Sequence, residues 1–321
     1  MNGTVPAGRR VEVEVPATSA NLGPGFDCLG LALDLHNSCS FTAVEQPGVR
    51  VEVVGEGAGR LPTDERNLII RSLALGLKRL GQQVVGLEVR AVNRIPASRG
   101  MGSSSAAIVT GLIGAHALAR PGEPFDPSAW VELADQIEGH PDNVAAALYG
   151  GLVLAYRPLA DHGNRLGTAA AAAAAPVHPD VALLALVPQT PLGTELARSV
   201  LPGTVPHSDA AADAGRSALL AHALGREPRL LFEATADWLH QAQRAEVMAA
   251  SSELLSRLRS ERLPAVISGA GPTVLVLGTR EQIDRAEALT RTGGSTDFRP
   301  LRLGVGTGAR VVSSPEDRPG V

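Results

Sequence analysis

The run Pro96-Ala97-Ser98-Arg99-Gly100-Met101-Gly102-Ser103-Ser104-Ser105-Ala106-Ala107 places two glycines and three adjoining serines at the junction of a strand-like and a helix-like segment. Glycine lets backbone N–H groups approach an anion closely, and serine adds small hydroxyl donors. The N-terminus of the following helix contributes partial positive charge. Such a loop suits phosphate. By itself, Gly-x-Gly-Ser serves equally well as a capped strand-to-helix turn. A Walker loop ends in Gly-Lys-Ser/Thr, and no lysine lies between Pro96 and Ala107. A dinucleotide loop needs Gly-x-Gly-x-x-Gly, and Ser105 stands where its last glycine belongs.

The elements that must hold this loop follow from patterning. Val11, Val13 and Val15 alternate with Glu12 and Glu14, the period of a half-exposed strand, and 49–54 and 87–92 show the same alternation in part. Ile70, Leu73, Leu77 and Leu80 share one helical face. A second helix is expected from Ser104 to Leu118, with Ile108, Leu112 and Ala115 on one face. A third starts at Asp126 as N-cap with Pro127 in its first turn, carries Trp130, Leu133, Ala134 and Ile137, and stops at Gly139. It delivers Glu138 to a turn. The alanine tract Ala169–Ala175 has no larger apolar face, so it reads as a surface insertion or linker. Beyond it come an apolar run at 181–187, a helical stretch around Arg226 to Arg259 and a strand near Thr273 to Leu277. Both halves are therefore α+β.

Composition narrows the class. The 321 residues are 44% hydrophobic, enough for a large core, and the length suits two domains. A net charge of −4 and the lack of a basic run disfavour nucleic acid as a partner. The N-terminus has no apolar signal core, and no apolar stretch reaches the roughly 18 to 20 residues that span a bilayer. A cytoplasmic location without membrane contact is the expectation. Cys28 and Cys39 form no metal-ligand spacing and are expected as reduced thiols.

The loop resembles the second motif of the GHMP kinases, Pro-x-x-x-Gly-Leu-Gly-Ser-Ser-Ala, with Met101 for Leu and one extra serine. Two more motifs follow the family order. Pro16-Ala17-Thr18-Ser19-Ala20-Asn21-Leu22-Gly23-Pro24-Gly25-Phe26-Asp27 is similar to the first motif in the form its homoserine-phosphorylating branch carries, and Ile267-Ser268-Gly269-Ala270-Gly271-Pro272-Thr273 is similar to the third. The resemblance runs from about Val11 to Gly278. Glu138-Gly139-His140-Pro141-Asp142-Asn143, Thr194-Glu195-Leu196-Ala197-Arg198 and Asp237-Trp238-Leu239-His240-Gln241-Ala242-Gln243-Arg244 also resemble that branch.

The resemblance implies a two-domain α+β fold, residues 1–165 with the phosphate loop and 176–321, with the active site in the cleft between them, and often a homodimer. It implies ATP and Mg²⁺ as cofactors and L-homoserine as the acceptor. Pro96 to Ala106 and Asn67 would bind the nucleotide. Glu138 and Ser104 would hold the metal, Ser104 being the family position counted from Gly102. Asn21, Asp27, His140, Arg198, Arg244 and Gly271 would face the substrate. Thr194 would contact the reacting oxygens, and Asp142 would either take the proton or orient its neighbours. Another alcohol, such as mevalonate or a sugar, or a non-catalytic ligand-binding role on the same fold, are the rival readings.

Overall fold

The computed structural model describes residues 3–160, 165–292 and 297–312. Its larger sheet is built on one long strand, Gly25–Val44, paired antiparallel along most of its length with Arg10–Asn21. The alternation is borne out at Val13 and Val15, which are buried, while Glu12, Glu14 and Val11 at the strand's start are only half-buried. A register shift between Pro16 and Ala17 bends the pair, and the strand beyond it is buried on both faces. On the other side of the long strand lie Leu152–Tyr156 near its beginning and Gly86–Asn93 near its end. Gly48–Gly55 joins parallel to the latter.

Two further strands complete this sheet. Arg310–Val312 pairs with Arg10–Asn21, so the last described residues return to the first strand's outer edge. The tract Ala171–Ala175 pairs antiparallel with Leu152–Tyr156. It is a strand, which corrects the reading of Ala169–Ala175 as an insertion or linker. Alanine side chains specify little, and the unpaired backbone edge of Leu152–Tyr156 decides the conformation by offering hydrogen bonds.

Helices Ser103–Ala119 and Pro141–Tyr149 pack on this sheet, and Leu68–Arg79 packs against Ser103–Ala119. Ser103–Ala119 is buried around nearly its whole circumference, including Ile108, Leu112 and Ala115, because the other two helices and the sheet enclose it. Asp126 caps a short 3-10 turn, Pro127–Ala129, before the helix Val131–Glu138 begins. Gly139 ends that helix at φ 92°, and Pro141 at once opens the next. His140 is thereby held between two helix ends.

The second sheet is antiparallel, in the order Ala265–Ile267, Val274–Gly278, Ala182–Pro188, Phe298–Leu303. Helices Ala249–Ser260 and Arg280–Thr292 pack on it. The helical stretch expected around Arg226 to Arg259 is not continuous. A helix spans His207–Gly225, short turns follow Pro228, and residues 236–244 are irregular before Ala249–Ser260. Asp237 explains the interruption, since its carboxylate accepts from the backbone N–H groups of Leu239, His240 and Gln241 in place of a helical ladder. No helix among the described residues is long and apolar enough to cross a membrane.

Candidate active site

Three loops meet where the two sheets adjoin. The first is the turn after Arg10–Asn21, with Asn21 and Leu22 at φ 65° and 52° and Asp27 at φ 52°. The second is the phosphate loop, and the third joins Ala265–Ile267 to Val274–Gly278. Ser268 ties all three together: its hydroxyl donates to the Gly100 carbonyl (2.6 Å) and lies 2.8 Å from the Ser19 hydroxyl. The amide of Gly269 donates to the Ala20 carbonyl, and Asn21 Nδ2 returns a bond to the Gly269 carbonyl at 2.8 Å. Thr18 donates its amide N–H to the Met101 carbonyl and its hydroxyl to Asn143 Oδ1 at 2.7 Å.

Gly102 sits at φ 67°, and a Cβ placed there would stand 1.9 Å from Thr18 Oγ1. Gly102→Ala therefore demands both a left-handed alanine and displacement of Thr18 from Asn143. A loss of about 2 kcal/mol or more, seen as a melting temperature several degrees lower, is expected. A melting curve equal to wild type would mean the loop does not pack this tightly.

Gly102 hands over to the helix Ser103–Ala119, whose first-turn N–H groups have no partner within the helix. Ser98, Gly100, Gly102, Ser103, Ser104 and Ser105 line a cavity of about 680 Å³, part of it open to solvent. Across it, Glu138 accepts from Ser104 through Oε2 (2.8 Å) and from Ser105 through Oε1 (2.9 Å). Arg99 is committed elsewhere. Its guanidinium donates to the carbonyls of Ala97, Pro188 and Gln189, bracing the loop against the segment that leads to Thr194. Pro96, Met101 and Ala106 are buried supports that line neither this cavity nor its neighbour.

The same cavity is bordered by Asn21, His140, Asp142, Thr194, Arg198 and Arg244. Thr194 opens the short helix Thr194–Ser199, and Arg198 projects from its last turn. Arg198 makes a two-pronged ion pair with Asp27, Nη1 to Oδ2 at 3.1 Å and Nη2 to Oδ1 at 2.5 Å. Asp27 is itself held by its amide, which donates to Asn21 Oδ1. The hydrogen bond that Arg198 donates to Asp27, outweighing burial, raises the pKa of Arg198. Arg244 is only 1% exposed, and its Nε donates to the Ala197 carbonyl. Burial and, next, the charge of Arg198 lower its pKa to about 10, so it remains cationic at neutral pH. Phe26 lies beneath both guanidinium groups, at 5.5 and 5.6 Å.

His140 Nδ1 lies 2.8 Å from Asp142 Oδ1, which also accepts the Asn143 amide N–H at 2.7 Å. Burial opposes charging of His140, but the Asp142 hydrogen bond and the charges of Asp142 and Glu138 outweigh it, raising the pKa. Gly271 does not line the cavity. It packs behind the phosphate loop, its carbonyl 2.8 Å from where a Gly100 Cβ would sit.

Ser98, Ser103 and Ser104 also border a second, more apolar cavity, walled by Val53, Leu61, Leu68, Ile69 and Ile95, with Ala97 and Asn67 at its edge. Asn67, 4% exposed, caps the helix Leu68–Arg79 by accepting from the Ile69 amide. Its Nδ2 donates to the Pro62 carbonyl. An apolar slot beside an anion loop is the arrangement a nucleotide requires. Residues 67–151 match the profile of the GHMP kinases N terminal domain, and residues 216–292 that of the GHMP kinases C terminal region.

The chain belongs to the GHMP kinase family.

Within this GHMP kinase's relatives, a homoserine kinase of Streptomyces coelicolor is 48% identical, the match covering 92% of each chain. One from Mycolicibacterium vanbaalenii is 45% identical over 98% of each. The crystal structure of a homoserine kinase from Cytophaga hutchinsonii superposes with a TM-score of 0.80 at 25% identity, covering 94% of this chain and 97% of that one. A mevalonate diphosphate decarboxylase from Staphylococcus aureus, 13% identical with a TM-score of 0.65 over 95% and 98%, shares the fold.

Several site contacts carry no signal of their own in the sequence. Thr18 and Asn143 fall inside quoted motifs, yet nothing in their spacing predicts a bond across 125 residues. Asp213 is another case. It is buried on the helix His207–Gly225, and its Oδ1 accepts the Trp238 amide N–H at the start of the turn that carries Arg244. Burial first, with the nearby Asp237, pushes its pKa up to about 6 against the opposing Trp238 bond. Because the folded pKa exceeds the unfolded one, its ionisation costs stability once pH rises through about 4 to 6. Asp213→Asn should therefore raise the melting temperature at pH 7.5, and the advantage should vanish below about pH 4. An equal advantage at both pH values would contradict this.

Proposed function

We propose that this enzyme transfers the γ-phosphoryl group of ATP to the side-chain hydroxyl of L-homoserine, giving O-phospho-L-homoserine, a step of threonine biosynthesis. The observation that carries the substrate is the pair Arg198 and Arg244 lining the same cavity as the phosphate loop, with Asp27 held against Arg198 just behind the wall. Homoserine carries a carboxylate, an ammonium and a hydroxyl. The positive charges of Arg198 and Arg244, with Arg244 Nη2 not used by the contacts above, suit the carboxylate, and Asp27 with Asn21 suits the ammonium. The high identity to homoserine kinases over nearly the whole chain supports the same substrate. Mevalonate and galactose lack the ammonium and would leave Asp27 without a cationic partner from the substrate.

On this reading the amides of Ser103, Ser104 and Ser105 and the Ser103 hydroxyl hold the phosphates, and the apolar slot beside Asn67 takes the base and ribose. Glu138 and Ser104 would hold a Mg²⁺ ion: a carboxylate and a hydroxyl oxygen stand together, 2.8 Å apart, on the wall of the cavity, the hard oxygen donors such an ion takes. Bound there beside the phosphates, the ion supplies neutralisation of charge on the transferring group. Ser105, from the other side, keeps the Glu138 carboxylate aimed at Ser104.

Because the transferring phosphoryl passes through a loose transition state, positioning and charge matter more than a strong base. Asp142 fills the orienting role, since Oδ1 already accepts from His140 and the Asn143 amide. Thr194, which lines the same cavity, would contact the reacting oxygens. Phosphorus NMR of the product provides the test. A phosphate monoester coupled to the side-chain methylene of homoserine is expected, whereas release of free phosphate alone would reject transfer to the amino acid.

A further inference from the structure

His240 is fully buried, and both of its ring nitrogens are engaged. Nε2 lies 2.8 Å from the Gly23 carbonyl, which can only accept, so Nε2 carries the proton and donates. Nδ1 lies 2.9 Å from Arg244 Nη1, which can only donate, so Nδ1 accepts. These two neighbours require one state, the neutral imidazole protonated at Nε2. Phe26 stands 5.3 Å away, tilted against the ring, so the His240 ring shares a wall with the aromatic face beneath both arginines. Arg244 Nη1 has one further partner, the Gly269 carbonyl at 3.3 Å.

We propose that His240 is a positioning residue for the substrate's carboxylate: it links the Gly23 turn of the first motif to the Arg244 fork and sets where that fork points. The inference rests on the reading that Arg244 receives the carboxylate of homoserine. The ring must be an acceptor toward Arg244. Protonated at Nδ1, it would set N–H against N–H beside a guanidinium. Asp237, 3.6 Å from Nε2, Asp27 and Arg244 are the charged groups that face it, the carboxylates favouring the imidazolium and Arg244 opposing it. Burial is the largest influence and, with Arg244, holds the ring neutral by lowering its pKa.

Two substitutions separate positioning from packing. His240→Gln places an amide N–H near the Gly23 carbonyl but no acceptor near Arg244, whereas His240→Asn places an amide oxygen near the former Nδ1. His240→Gln should raise KM for L-homoserine on the order of tenfold or more while KM for ATP moves less than about threefold. His240→Asn should recover most of the homoserine KM even though the Gly23 bond is lost. Equal KM increases in both variants, or none in His240→Gln, would overturn the positioning role.

Nitrogen-15 NMR of the wild-type histidines, which needs no variant to fold, should show the His240 ring, assigned separately from the also buried His116, neutral and protonated at Nε2 near pH 7. A ring protonated at Nδ1, or an imidazolium, would equally overturn it. Failure of the wild-type enzyme to use L-homoserine would instead refute the substrate assignment, and the ring's tautomer would still be read independently.

Discussion

Glu138→Gln is expected to lower kcat on the order of a thousandfold, with KM for L-homoserine within about threefold of wild type. The substitution keeps the size of the side chain and the capacity to accept from one of the two serines, Ser104 or Ser105, while its amide NH2 can donate to the hydroxyl oxygen of the other. What disappears is the negative charge. A glutamine oxygen is a poor partner for a hard divalent cation, and the phosphate loop offers no other carboxylate, since no acidic residue lies between Pro96 and Ala107. Among the described residues no cluster of three or more His, Cys, Asp or Glu exists that could take a metal in its place. Ser105→Ala should cost much less, about tenfold, because it frees Oε1 while leaving Ser104 and the charge in place. Steady-state kinetics across a Mg²⁺ titration measure both effects. A Glu138→Gln enzyme with wild-type kcat and an unchanged Mg²⁺ dependence would remove Glu138 from the metal site.

Arg244→Leu is expected to lower kcat/KM for L-homoserine by about a hundredfold to ten-thousandfold while KM for ATP stays within about threefold. A charge-assisted hydrogen bond contributes roughly 1.5 to 3 kcal/mol, and Nη2 of Arg244, the guanidinium nitrogen not used by Ala197, His240 or Gly269, has two N–H groups to donate. Arg244 is also part of the protein's interior. Its loss leaves the Ala197 carbonyl and His240 Nδ1 without a donor, so a lower melting temperature should accompany the kinetic defect. Arg244→Lys keeps the charge but not the fork and should fall between leucine and wild type. Equal losses of ATP and homoserine affinity in Arg244→Leu would show that Arg244 supports the whole site and does not select the acceptor.

Much of this site was readable before any coordinates because its parts are contiguous. The phosphate loop, the helix it enters and the break at Gly139 are local features, each written in glycine, serine and proline chemistry. The long strand Gly25–Val44 was not readable, since it is buried at one end, partly exposed at the other and bulged against its partner, which destroys a clean alternation. The alanine tract failed for the opposite reason. Its composition is compatible with helix, strand or linker, and a neighbouring sheet edge chooses among them. Arg244 and Arg198, read in isolation, would belong on solvated helix faces. Only the motifs pointed inward, and Arg244 proves to be among the most buried large side chains. Long-range ties such as Ser19 to Ser268, or His240 to Gly23, lie outside any local pattern because they depend on how two sheets meet.

The central claim is that one cavity joins a nucleotide-phosphate loop to a zwitterion site. It is tested most directly by coupled ATP turnover with Mg²⁺ across L-homoserine, L-threonine, mevalonate and galactose. Turnover is predicted to be highest with L-homoserine by a wide margin, and near background with mevalonate and galactose, neither of which engages Asp27 through an ammonium. Mevalonate or galactose turned over faster than L-homoserine would contradict the assignment of Asp27, Arg198 and Arg244, while leaving the phosphate loop where it is.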